Sequence, residues 1–460
     1  MFRRTTIIVV AIAFAYMLFW DIYAYARYIS YTSTYFDIGL ADYNLYYYSV
    51  QHVSPMQFFV FMNHISFFFP VVFAFYKLFG NPFSFIWLQN LFLAATIPLL
   101  YLIGKIRSER LGLALAIAFA INPAFFGLGV FDAHLEGILP FFYMLSIYYY
   151  LKESRLFVLS FLILLAIIDT GAALAFALAL ALLVDQLIKR KKSSKKMLAM
   201  LILCLLLAIL FIFAYWGISA NIKSNVPPQL KAMNFFGEQK NAIVGTSNRI
   251  GISSLLWLFG AFFSFGITSI FALLQTIIML SPWLAEVFMV KNTLFITPYM
   301  QYFAYAIGGL GGTALGLHRL KIGVKKERII EASIYIFAML FAVLFILAYG
   351  FPIPGKAQAI SIPSAIENSS IMAQGSITPH LYNMLYVENP PDEKPLWFEP
   401  LNYTTYWFKP KYIVFDRELN DYGPMNSSSF NIFAYMGNNY TLYMRNGSLE
   451  IYVLKNKQSG

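Results

Sequence analysis

Apolar stretches recur along the first 355 positions, and clusters of Lys and Arg punctuate them. The stretches are Thr5–Phe19, Phe85–Leu102, Leu111–Val130, Ile138–Leu151, Leu156–Ile168, Ala172–Ile188, Met197–Trp216, then roughly 252–267, 268–284 and 299–317, and finally Ile329–Tyr349. A helix of about 20 apolar residues crosses the hydrocarbon layer of a bilayer, so this pattern predicts a polytopic membrane protein of about eleven spans. Composition agrees: 59% of the 460 residues are hydrophobic and only 12% charged, against about 25% charged in soluble domains. The net charge of +11 does not imply nucleic acid. Residues 1–355 carry 25 basic and 13 acidic side chains, residues 356–460 carry 8 and 9, and the excess sits in short loops as the positive-inside rule requires.

Those loops set an expected topology in the plasma membrane. Arg3 and Arg4 place the N-terminus in the cytoplasm, with Thr5–Phe19 read as a retained helix because no small-residue cleavage pattern follows. Residues 24–83 form a long, tyrosine-rich external segment ending in Ile65–Phe79, too short to span and so interfacial or re-entrant. Lys105, Arg107 and Arg110, then Lys152 and Arg155, the run 189–196, and finally Arg319, Lys321, Lys325, Lys326 and Arg328 each mark the cytoplasmic side. Three spans are needed between 251 and 317 to keep that last patch inside. The run 189–196 could also touch anionic lipid, but topology explains it without that. An odd number of spans puts residues 356–460 outside. This polar tail has strand patterns at Ser370–Ala373 and Tyr412–Asp416, a hairpin pattern around Asn446-Gly447, and a helix pattern at Thr378–Leu385. It reads as a small extracytoplasmic α/β domain following a transmembrane domain of residues 1–355. All five Asn-Xaa-Ser/Thr glycosylation sequons, at Asn368, Asn402, Asn426, Asn439 and Asn446, fall within it. Cys204, the single cysteine, excludes an intramolecular disulfide framework.

Acids in such a chain are expensive and mark candidate chemistry. Under this topology Asp37, Asp42, Asp132, Glu136, Asp169, Glu238 and Glu286 face outward, as do His52, His64 and His134. Asp37, in an uncharged aromatic loop, suits a general base with a carboxyl raised by desolvation, or else caps a helix; Asp42 follows five residues on. His64 is either a ligand or a structural hydrogen-bond partner. In Phe131-Asp132-Ala133-His134-Leu135-Glu136-Gly137, an extended backbone would aim Asp132, His134 and Glu136 to one side, where they could hold magnesium or manganese. A helical backbone would align Asp132 with Glu136 and turn His134 away, with Asp132 as an N-cap. Asp169, at a hairpin tip, and Glu286, beside Trp283, each fit either a cap or an outward-facing cavity.

Phe36-Asp37-Ile38-Gly39, Asn63-His64-Ile65-Ser66, Leu78-Phe79-Gly80, Asn122-Pro123 with Phe131–Glu136, Ser281-Pro282-Trp283-Leu284, Thr378-Pro379-His380-Leu381 and Lys411–Asp416 together resemble the prokaryotic multi-spanning proteins catalogued as domain of unknown function 2079. Ile168-Asp169-Thr170 departs from the more acidic run that the resemblance leads one to expect. That family is in turn similar to the GT-C glycosyltransferases, which take sugars from polyprenyl-phosphate donors and place an Asp in the first external loop. The resemblance implies a GT-C-like fold and an inverting hexosyltransferase at the outer leaflet. Asp37 would deprotonate the acceptor, Asp132, His134 and Glu136 would hold a cation or acceptor, and Asp42, His64, Asp169 and Glu286 would bind substrate. The donor phosphate would need Arg27, Lys77 or a metal. Membrane lipids are partners on any reading. The alternatives are a transporter or flippase for a polar lipid or ion, in which the same acids bind cations or headgroups, and a receptor or cell-envelope assembly protein acting through residues 356–460.

Overall fold

The structure, a computed structural model, describes residues 4–33, 64–81, 83–130, 133–188, 194–225, 252–289, 301–320, 323–356, 411–416 and 436–455, together with 38, 41, 45, 48, 49, 59–61, 363, 369, 371–373, 377 and 380. Helix occupies each of the eleven expected spans. In chain order these are α1 (Arg4–Ile29), then, after the short strands β1 (Val60–Phe61) and β2 (His64–Ile65), the eleven-residue α2 (Phe69–Phe79), α3 (Ser84–Lys105), α4 (Glu109–Ala120), α5 (Pro123–Val130), α6 (Leu139–Leu151), α7 (Leu156–Ile167), α8 (Gly171–Ile188) and α9 (Lys195–Asn225). The series ends with α10 (Ile252–Phe263), α11 (Leu273–Leu284), α12 (Gly308–Arg319) and α13 (Val324–Tyr349). Among the described residues six helical stretches are long and apolar enough to cross a membrane, or seven if the bent pair α4–α5 is one span. Helices α6, α7, α10 and α12 are shorter, at 12 or 13 residues each.

Local chemistry explains the irregularities. Leu111–Val130 reads as one apolar run, yet it breaks into α4 and α5 with a 52° bend. Pro123 cannot donate to α4, and Asn122 accepts from the Ala124 amide at 3.0 Å to start a new helix. The Asn122 amide group also donates to Ser264 at 2.9 Å, which ties the break to α10's exit. Helix α12 is buried along its whole length from Gly308 to Leu317. A Cβ at Gly309 would overlap the Ala261 carbonyl, and one at Gly316 the Thr268 carbonyl. Small residues therefore let this helix lie against its neighbours at backbone distance. Conversely, α9 exposes Ile202, Leu203, Leu206, Leu210, Phe213 and Trp216, the apolar surface a bilayer would cover.

The chain divides into two compact units. The first comprises Met1–Asp21, Asn63–Val71 and Trp87–Pro352, and it holds nearly all the helices. The second comprises Ile22–Met62, Val72–Ile86 and Ile353–Gly460. Its sheet has the order β3-β4-β6-β5, formed by β3 (Ile371–Ala373), β4 (Tyr412–Asp416), β5 (Tyr440–Asn446) and β6 (Leu449–Leu454). β3 runs parallel to β4, and the other pairs are antiparallel. The central strand β4 is buried throughout, and Ile413 and Phe415 pack with Met436 and Tyr440. The expected hairpin forms, but Asn446 pairs with Leu449, so the turn is Gly447-Ser448, with Gly447 at φ +60°. Of the expected helix at 378–385 only His380 is described.

Candidate functional site

The site begins where the segment 64–68 lies against the end of α7. The Phe68 amide donates to the Ala166 carbonyl at 2.8 Å, the Asp169 amide to the Ile65 carbonyl at 3.0 Å, and the Ser66 hydroxyl to the Ile167 carbonyl at 2.6 Å. The first and last of these bonds satisfy two carbonyls at the end of α7, and together the three hold the segment beside Asp169. His64 Nδ1 lies 3.0 Å from Asp169 Oδ1, and both side chains are about a quarter exposed, 26% and 28%. Asp169 also accepts from the Thr170 amide at 2.8 Å and from the Ile65 amide at 3.5 Å. Asp169 thus binds both its own turn and the segment at His64–Ile65.

Glu136 completes the group. It sits in the 3-10 turn Leu135–Ile138 that leads into α6 and is 2% exposed. Gln89 of α3 holds this turn: its carbonyl oxygen accepts from the His134 amide at 2.6 Å, and its amide group donates to the Leu128 carbonyl at 2.6 Å. Gly137 leaves the space that Gln89 fills.

The electrostatics couple the three groups. Burial pushes the Glu136 carboxyl above its ordinary value, only partly offset by the His64 charge. Burial alone would lower His64, but the hydrogen bond and charge of Asp169, with Glu136 beyond, raise it. Burial would raise Asp169, yet His64 and the Thr170 and Ile65 amides hold it below the usual carboxylate range. The arrangement is a histidine–carboxylate pair that favours the imidazolium beside a buried carboxyl whose ionisation burial opposes, so it brings hydrogen-bond donors and positive charge together.

The other expected residues fall elsewhere. Asp37, Asp42 and Asp132 lie outside the described residues, as do Asn368, Asn402 and Asn426. Neither regular backbone geometry expected for 132–136 holds: His134 is extended, at φ −138° and ψ 139°, and the 3-10 turn begins at Leu135. Among the described residues no three His, Cys, Asp or Glu side chains are grouped to hold a metal. Glu286 lies half-buried in the π-turn Ala285–Met289 after α11, and it is not among the charges acting on His64, Asp169 or Glu136. Arg27 and Lys77 spend donors on the carbonyls of Thr32 and Ser49. Asn439 and Asn446 are exposed beside and within the β5–β6 hairpin.

Sequence reasoning missed two features. Gln89 gave no signal beyond a polar residue in an apolar helix. The other is a buried cluster in which Arg319 donates to Asp185 at 3.0 and 2.5 Å, the Tyr150 hydroxyl donates to Asp185, and Gln186 donates to Tyr150 at 3.0 Å. Asp185 lies within the expected span Ala172–Ile188, four residues from the basic run 189–196, and nothing in its sequence neighbourhood points to Tyr150 or Arg319.

No curated protein matches the chain. Among solved structures, the crystal structure of ArnT from Cupriavidus metallidurans bound to undecaprenyl phosphate is similar over 99% of this chain and 98% of that one, at 12% identity and a TM-score of 0.48. The family model described as predicted membrane protein (DUF2079) matches residues 27–385, and the chain belongs to that family.

Proposed function

We propose that the protein is a GT-C-like glycosyltransferase that moves a sugar from a polyprenyl-phosphate donor to an acceptor hydroxyl at the outer leaflet. The observation that carries this reading is the coupled group His64–Asp169–Glu136, assembled from three distant segments at helix ends. In this reading the Asp37 carboxylate takes the proton of the acceptor hydroxyl as its oxygen attacks the anomeric carbon. The bond from that carbon to the phosphate oxygen breaks with inversion, and the lipid phosphate leaves. His64, whose imidazolium Asp169 favours, meets the negative charge that grows on the leaving phosphate, and Glu136, whose ionisation burial opposes, donates a hydrogen bond from its acid form. Asp132, His134, Asp42 and Glu286 are assigned to substrate or to a divalent cation, magnesium or manganese, with no step routed through an ion. The resemblance of the motifs around Asp37 and His64 to the family supports the assignment.

The test is mass spectrometry of envelope glycans and glycolipids in a deletion strain complemented with wild type, Asp37→Asn, His64→Gln or Glu136→Gln. A glycan or glycolipid lost on deletion should return with wild type and stay absent with Asp37→Asn. His64→Gln should lower its formation by about 10²-fold, the scale for losing one charge-stabilising donor. An envelope unchanged by deletion, or restored by Asp37→Asn, would overturn the reading.

A further inference from the structure

The C-terminal end of α1 carries a feature outside the proposed chemistry. Tyr31 stands at φ +56°, a left-handed conformation unfavourable for a bulky side chain. Its amide bonds the Tyr28 carbonyl at 3.0 Å, and the Thr32 amide reaches back to Arg27 at 3.0 Å. The Arg27 guanidinium closes over the turn by donating to the Thr32 carbonyl at 2.7 Å. A glycine would adopt this exit without strain, so something else must favour a tyrosine.

His380 supplies it. Its ring stacks on Tyr28 at 4.0 Å and 26° and on Tyr31 at 3.8 Å and 15°. Its Nε2 lies 3.1 Å from the Tyr28 carbonyl, which also accepts from the Tyr31 amide. Gly355, from the same C-terminal part of the chain, lies beside this turn, where an added Cβ would meet Ser30 and Thr32 at 3.4 and 3.5 Å. All these residues belong to the second unit. The groups that bear on the stack are Tyr28, Tyr31, the Arg27 guanidinium and Asp416, whose charge reaches Tyr31. Burial holds the His380 imidazole down at about 4, so at neutral pH the stacked ring is uncharged and its Nε2–H donates.

We propose that His380 is a positioning residue: stacked between Tyr28 and Tyr31, it fixes the left-handed exit of α1 and with it the start of the segment that leads to Asp37. Its consequence for transfer rests on the function proposed above; the clamp itself does not.

The experiment uses the full-length protein in nanodiscs and amide hydrogen exchange read by mass spectrometry. His380→Phe keeps a flat ring for the stack, and His380→Gln keeps a donor but removes it. His380→Gln should speed exchange of the peptide containing residues 30–32 roughly tenfold, as expected for losing two ring stacks, while His380→Phe stays near wild type. Exchange in β4 and β6 reports whether each variant keeps its sheet. If His380→Gln loses the sheet as well, His380→Phe with faster exchange at 30–32 and an intact sheet overturns the clamp, and Phe at wild-type exchange supports it. Wild-type protection at 30–32 in His380→Gln overturns it outright. Transfer is measured alongside, with Asp37→Asn as reference. If Asp37→Asn leaves transfer unchanged, the functional reading fails while the exchange result still judges the clamp.

Discussion

At the scale of single residues, the His64–Asp169 pair makes stability depend on pH with a definite sign. His64 is raised in the folded state, so its contribution is complete below the unfolded value, about 6.5, and is lost as pH rises through the folded one. Asp169 is lowered, so its contribution is complete above about 3.9 and is lost as pH falls through the folded value. The pair is therefore worth most between roughly pH 4 and 6.5. Thermal unfolding in detergent should show this maximum in wild type. Asp169→Asn should flatten it and cost about 1–2 kcal/mol there, the scale of a charge-assisted hydrogen bond. A wild-type pH profile in Asp169→Asn would remove the pair from the account. Glu136 behaves oppositely, because burial opposes its ionisation. Glu136→Gln should leave stability near neutral pH within about 1 kcal/mol of wild type or higher, as thermal unfolding in detergent would show. The identities of these three residues were legible from the sequence, since each is a titratable group beside an apolar run. Their grouping was not, because the backbone bonds between 65–68 and 166–169 join positions a hundred residues apart with no periodic signal.

At the scale of elements, helix positions followed from hydropathy because a bilayer imposes one length and one polarity on whatever crosses it. Breaks and interfaces followed less well. The bend at Asn122-Pro123 needed a cap and a partner on another helix, and the burial of α12 depends on what its glycines face. The Asp185 cluster shows the same limit. It joins α6, α8 and α12 through a carboxylate whose side chain is 1% exposed, and Arg319 also reaches the Phe271 carbonyl at 3.0 Å. Removing one member of a buried pair strands the other, at a typical cost of 3–5 kcal/mol, whereas replacing both with apolar side chains costs far less. Asp185→Ala should therefore lower the unfolding temperature more than the double variant Asp185→Leu with Arg319→Met. Equal losses would mean that the pair adds nothing beyond its packing.

At the scale of the whole molecule, helix α8 decides the sidedness of the candidate site. Its 18 residues rise about 27 Å, close to the thickness of the hydrocarbon layer. Asp169 precedes its first turn and the basic run 189–196 follows its last, so these two ends face opposite aqueous phases. Knowing the side of one fixes the side of the other. Cys204 is the only cysteine and is buried, so the native chain provides a silent background for thiol labelling. Lys195 is exposed at the start of α9, and Asn439 is exposed ahead of β5. With the positive-inside rule, Lys195→Cys should react with a membrane-impermeant maleimide only after the cells are permeabilised. Asn439→Cys should react in intact cells if the eleven-span topology expected from the sequence holds, with an odd number of crossings between it and the N-terminus. Labelling of Lys195→Cys in intact cells would put His64, Asp169 and Glu136 on the cytoplasmic face, where a donor at the outer leaflet could not reach them. Labelling of Asn439→Cys only after permeabilisation, with Lys195→Cys behaving as expected, would leave the site outside and instead remove one crossing between α9 and the sheet. The short α10 and α12 are the helices that such a result would take out of the count, because α13 and the stretch Ile267–Met289 that contains α11 are already long enough to span.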